Sequence, residues 1–211
     1  SPTDSGADNV YNVTVGASDG TLTTTQTVAI TVTNVNEAPA FTSGATATVA
    51  ENVSTSTAVY TAVATDVDAG TTLTYSLSGA DAALFNIDST TGVVTFKASP
   101  NYESPADAGG NNVYDISVSA SDGTNITTQA VAITVTNVNE APTFTSGATA
   151  TVAENISTST AVYTAAATDV DAGTTLTYSL SGTDAALFNI DSTTGVVTFK
   201  ASPNYESPSD S

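Results

Sequence analysis

The sequence contains no cysteine, methionine, tryptophan, histidine or arginine. Each gap closes off a kind of chemistry. Without cysteine there is no disulfide, no thiol nucleophile and no zinc–thiolate centre, and without histidine there is no imidazole base. Positive charge is nearly absent too. Lys97 and Lys200 stand against 21 acids, for a formal net charge of −19. Such a surface does not hold the phosphates of nucleic acid or an anionic bilayer, so neither is expected as a partner. No apolar run approaches the ~18 residues of a membrane span, so no membrane insertion is expected in this segment. No signal peptide is visible, and the chain reads as an excerpt of a longer one.

What is present is acid, threonine and repetition. NVNEAP occurs at 34–39 and again at 137–142, a shift of 103 residues. The same shift carries Asp19 to Asp122, Glu51 to Glu154, Asp66 to Asp169 and Glu103 to Glu206. Residues 38–108 and 141–211 differ at six positions only, and every acid in 38–103 is kept. The period therefore cuts the chain into an incomplete C-terminal part of a repeat (1–36), a complete repeat (37–139) and the N-terminal strands of a further one (140–211). Scattered acids such as Asp81 and Asp107 are expected to serve solubility.

Each period reads as all-β. Threonine, valine, alanine and serine dominate, and the β-branched residues among them favour pleated strands. Alternation places Leu73, Tyr75 and Leu77 on one face, and likewise Tyr114, Ile116 and Val118, and Val131, Ile133 and Val135. Glycine and proline punctuate the runs at Gly70, Gly79, Gly92, Pro100 and Gly123. About seven short strands in ~100 residues predict a Greek-key β-sandwich large enough for its own core. Leu84, Phe85 and Ile87 are expected in that core.

The acids recur at strand ends, which in a sandwich gather at two poles. TDVDAG at 65–70 sets Asp66 and Asp68 one residue apart with no cation near in sequence. Here the chain resembles cadherin repeats, most closely the bacterial cadherin-like domains of long surface proteins. The resemblance is carried by VAEN at 49–52, DVDAG at 66–70, LFNIDSTTGVVTF at 84–96, NYES at 101–104, SASDG at 119–123 and NVNEAPTF at 137–144. It implies tandem immunoglobulin-like sandwiches with Ca²⁺ at each junction. At one junction the ligands would be Glu51 and Glu103, then Asn137, Asn139 and Glu140 of the linker, then Asp169 and Asp171. At the junction above they would be Asn34, Asn36, Glu37, Asp66, Asp68 and Asp122. Asp19, Glu154 and Glu206 are the same positions in the flanking partial repeats. The linker carries Asn137 where animal cadherins commonly have an acid, so between one and three ions per junction are expected. The physics points the same way: calcium takes six to eight oxygens, and a divalent ion turns carboxylate repulsion into a clamp.

The resemblance implies a non-enzymatic, calcium-rigidified extender of a long extracellular adhesin or fibre on a bacterial cell surface. Two alternatives stand beside it. One is an adhesive module for cell–cell or polysaccharide contact. The other is a filament subunit, in which neighbouring copies complete one another head to tail by strand addition.

Overall fold

The structure is a computed structural model describing residues 3–207. The described residues form sixteen short strands: β1 (Val10–Ser18), β2 (Thr23–Thr31), β3 (Ala40–Phe41), β4 (Thr46–Ala50), β5 (Tyr60–Thr61), β6 (Ala64–Thr65), β7 (Thr74–Ser78), β8 (Phe85–Ile87), β9 (Val93–Phe96), β10 (Val113–Ser121), β11 (Ile126–Thr136), β12 (Thr143–Phe144), β13 (Tyr163–Thr164), β14 (Ala167–Thr168), β15 (Phe188–Ile190) and β16 (Val196–Phe199). They belong to two compact units. One takes in residues 1–47, 55–97 and 114–133, and the other 48–54, 98–113 and 134–211.

Strands β4–β11 form the expected sandwich. One sheet has the order β4-β11-β10-β7 and the other β5-β9-β8, seven strands in all, with a two-residue ladder β3-β6 beside them. Alternation is obeyed where one face of a strand is covered by the opposite sheet. Tyr114, Ile116, Val118 and Ala120 of β10, and Val131, Ile133 and Val135 of β11, are all buried. Phe85 lies 4.4 Å from Phe96, and Tyr114 meets both rings edge-on at 5.8 and 5.1 Å. Each such aromatic pair contributes about 0.5–1.5 kcal/mol beyond its area. Phe85 is deep in the core, while Leu84 and Ile87 are half-buried, because Leu84 closes a 3₁₀ turn (Ala82–Leu84) at the rim.

The DSTTG sequence makes the β8–β9 hairpin. Asp88 Oδ1 accepts the N–H groups of Thr90 and Thr91 at 2.9 and 2.8 Å, and Gly92 follows at φ 70°. A Cβ on Gly92 would run into the carbonyl oxygen of Ala62, so glycine is required for both its conformation and its close approach. Asp191 and Gly195 rebuild the same turn one period later.

Two acids depart from expectation. Asp81 and Asp107 are buried rather than solvent-facing. Asp81 accepts the Asp115 N–H at 2.7 Å, and Asp107 accepts the N–H groups of Asn111 and Asn112 at 3.0 Å each. A carboxylate fed by backbone donors organises a loop that lacks ladder partners. These two acids are structural.

The strand directions position the site. Ala132 N–H donates to Ala45 O and Glu51 N–H donates to Thr136 O, so β4 and β11 run the same way and end together. Glu51, just past β4, is thereby brought beside the linker that follows β11.

Candidate metal centre

A cluster of acids forms at that strand end. Glu51, Glu103 and Glu140 each offer a carboxylate oxygen within 4.8 Å of the others. Glu51 is 3% exposed, since its two oxygens accept the N–H groups of Val138 in the linker and Tyr102 in the NYES connection, both at 2.8 Å. Asp171 ties down the linker from the other side. Its oxygens accept Asn137 Nδ2 at 2.7 Å and the Glu140 N–H at 2.9 Å. Asp169 Oδ1 accepts the Asp171 N–H at 2.9 Å, which folds the DVD turn. Asn139 Nδ2 donates to Glu140 O at 3.0 Å. Thus Glu51, Glu103, Asn137, Asn139, Glu140, Asp169 and Asp171 converge within one compact unit.

The electrostatics are asymmetric. Asn137 and the Glu140 N–H hold the Asp171 carboxyl below its usual range. Glu140 is pushed up instead, by desolvation first and then by the charges of Glu51, Asp171 and Glu103. The nearest relief is neutral: Asn52 Nδ2 donates to Glu140 Oε1 at 2.8 Å. Neither lysine helps, because Lys97 and Lys200 reach the carbonyl oxygens of Ala83 and Ala186.

A second cluster lies in the other unit. Asp68 accepts Asn34 Nδ2 at 2.6 Å and the Glu37 N–H at 3.0 Å, and its N–H donates to Asp66 Oδ1 at 2.8 Å. Asp122 Oδ2 accepts Asn36 Nδ2 at 2.7 Å, while its Oδ1 closes the SDGTN turn by accepting from Thr124 and Asn125 at 2.6 Å each. Those donors lower the carboxyls of Asp68 (Asn34 foremost) and Asp122 (the Thr124 N–H foremost), and the Asp122 charge partly offsets the effect at Asp68. Asn34, Asn36, Glu37, Asp66, Asp68 and Asp122 are thereby assembled, but without a counterpart of Glu51 or Glu103 among the described residues.

The three outlying positions are not gathered into such sets. Asp19 closes its own hairpin turn by accepting from Thr21 and Leu22 at 2.8 Å each. Glu154 accepts the Tyr205 N–H at 3.2 Å, as Glu51 does that of Tyr102, yet it is exposed because no linker residue covers it among the described residues. Glu206 is exposed as well. Sequence reasoning missed Asn52 and Asn125. Asn52 adopts φ 59° beside Glu51, and Asn125 Nδ2 donates to Asn36 O at 3.1 Å. The available signal was Asn52 returning as Asn155 beside the repeated glutamate.

The residues fit a hard divalent cation. Three carboxylate oxygens within 4.8 Å of one another need only a small side-chain adjustment to share one ion at the ~2.3–2.6 Å of calcium ligation. Buried Oε2 atoms of Glu103 and Glu140, and Oδ2 of Asp66, accept no hydrogen bond. A buried carboxylate oxygen without a donor is costly, and a cation satisfies it.

Residues 45–139 match the family model of the cadherin domain. This part of the chain is cadherin-like. Human protocadherin Fat 4 is 34% identical over 211 residues, covering 93% of this chain and 4% of that protein. The chain thus spans about a twentieth of the curated relatives it matches. The crystal structure of human protocadherin-24 EC1-2 is similar at TM-score 0.60 and 26% identity, over 82% of this chain and 81% of the other. Human CDH23 EC21-23 shares the fold at TM-score 0.65 and 22% identity, over 94% and 66%. These relatives are animal proteins, so the expected bacterial origin finds no support among them. Cadherin domains belong to a non-enzymatic adhesion family and characteristically bind calcium.

Proposed function

We propose that this chain is a calcium-rigidified extender segment of a long extracellular or cell-surface adhesion protein, with repeat boundaries at 36/37 and 139/140. The observation that carries the reading is the Glu51–Glu103–Glu140 cluster: three carboxylates within 4.8 Å, two donorless buried oxygens and no lysine. Glu51, Glu103, Asn137, Asn139, Glu140, Asp169 and Asp171 would hold calcium at the lower junction. Asn34, Asn36, Glu37, Asp66, Asp68 and Asp122 would do so at the upper one, and Asp19, Glu154 and Glu206 would serve further junctions. The bound ion supplies charge neutralisation.

The chain's own residues supply the rest. Glu51 grips the linker through the Val138 N–H, and Asp171 grips it through Asn137 and the Glu140 N–H. The junction is thus prearranged, and what opposes it is carboxylate repulsion. Two such charges about 4 Å apart cost roughly 1 kcal/mol in bulk water and roughly 4 at an effective dielectric of 20. Extracellular calcium modules bind at about 10⁻⁴–10⁻³ M, so these sites would fill outside the cell. Small-angle scattering tests the extender reading. Calcium should lengthen and narrow the particle relative to chelator, and Asp171→Asn should weaken that response. Superimposable profiles with and without calcium would remove the reading.

A further inference from the structure

Each linker is tied to the DVD turn that follows it by the same two bonds. In one unit, Asp171 Oδ1 accepts Asn137 Nδ2 at 2.7 Å and its Oδ2 accepts the Glu140 N–H at 2.9 Å. In the other, Asp68 Oδ1 accepts Asn34 Nδ2 at 2.6 Å and its Oδ2 accepts the Glu37 N–H at 3.0 Å. The pattern thus recurs one period apart, each time inside a single compact unit. One neutral amide and one backbone N–H occupy both oxygens of an aspartate. The amide orientation is forced, because a turned amide would set its own oxygen against a carboxylate oxygen at that distance.

These bonds divide the acids of the lower junction into two groups. Asp171 is 8% exposed, and both its oxygens are served by linker donors. Glu51 likewise has both oxygens on N–H groups. By contrast, Oε2 of Glu103 and Oε2 of Glu140 are buried with no donor. A buried carboxylate needs either donors or a cation. Asp171 has donors, whereas Glu103 and Glu140 are each short of one. The junction therefore holds one place that calls for an ion and another that an amide already fills. An aspartate in place of Asn137 would bring a second charge against Asp171 at hydrogen-bond distance. Two carboxylates so close repel, and a divalent cation relieves both. Asparagine removes that need, since its Nδ2 donates and it adds no charge.

We propose that Asn137 and Asn34 fix how many divalent cations each junction takes. Each latches its linker to the DVD turn without metal, and each stands where a further ion would otherwise be required. The latch holds whether or not calcium is present. Calcium then acts on the other side of the lower linker, through Glu51, Glu103 and Glu140. The ion count rests on the calcium reading above, and the latch does not.

Counting bound calcium by calorimetry and following amide exchange in chelator together test this. Without metal, Asn137→Ala should quicken exchange of the Glu140 amide by about 10- to 150-fold, the size expected when a charged hydrogen bond is lost. Asn137→Asp should quicken it at least as much in chelator, and calcium should slow it again. Asn137→Asp should also take up one more calcium than wild type, while Asn137→Ala takes up no more than wild type. Asn34→Asp should add one ion independently, and the two aspartate substitutions together should add two. Unchanged Glu140 exchange in Asn137→Ala would overturn the latch, whatever calcium does. An unchanged ion count in Asn137→Asp, or a raised one in Asn137→Ala, would overturn the count. A wild type that binds no calcium would refute the proposed function and the count together, with exchange in chelator still deciding the latch.

Discussion

Glu103→Gln should reverse its effect on the lower junction when calcium is added. Glu103 and Glu51 carboxylate oxygens lie within 4.8 Å. At that distance two charges repel by about 1 kcal/mol in bulk water and roughly 3.5 at an effective dielectric of 20. Glutamine keeps the shape, removes the charge and presents an amide donor to the remaining glutamates. Without metal the variant junction should therefore be more stable, by an amount between those limits. With metal it has lost a charged ligand and should be less stable than wild type. Calcium at about 100 times its dissociation constant stabilises a site by roughly 2.7 kcal/mol, and the variant forfeits part of this. The assay is hydrogen exchange of the Val138 and Tyr102 amides, whose N–H groups are held by Glu51 and open when the junction opens. In chelator their exchange should slow on substitution by about 5- to 300-fold, and in calcium it should quicken. The same sign in both buffers would refute the argument that repulsion and ligation come from one cluster.

Other outcomes follow from the sandwich itself. Tyr114→Ala removes the ring that meets Phe85 and Phe96 and should cost about 3–5 kcal/mol in denaturant unfolding. Gly92→Ala meets the Ala62 carbonyl at a positive φ and should destabilise the protein, whereas Gly110→Ala, with open space around its Cβ position, should show the milder cost of φ strain alone. Asp88 and Asp191 are held below the ordinary value of 3.8, chiefly by the N–H groups of Thr91 and Thr194. Their stabilisation is therefore present above that value and lost as pH falls through the depressed folded one. Acid titration followed by NMR should place both carboxyls low, and Asp88→Asn with Asp191→Asn should flatten this part of the acid dependence.

The sandwich was legible because alternation in Tyr114–Val118 and Val131–Val135 is a local signal that tertiary structure only had to obey. The convergence of Glu51, Glu140 and Asp171 was legible through the family motifs and not through spacing, since it depends on β4 and β11 running in the same direction. Asp81 and Asp107 were misjudged because an acid serving backbone donors looks, in sequence, like any other loop acid. Residues 149–153 and 177–181 have the letters of β4 and β7 but form no strand, because β10 and β11, which pair with β4 and β7, have no counterpart one period later among the described residues. A strand is a property of a pair, and local sequence describes one member.

The central claim is that the lower junction is a calcium site. Isothermal titration calorimetry of the intact chain, beside Glu51→Gln with Glu140→Gln, examines it most directly. The account predicts saturable calcium binding at about 10⁻³ M or tighter, poorly reproduced by magnesium, with at least one site absent from the double variant. Equal calcium uptake by the two chains, or no saturable binding by wild type, would contradict it.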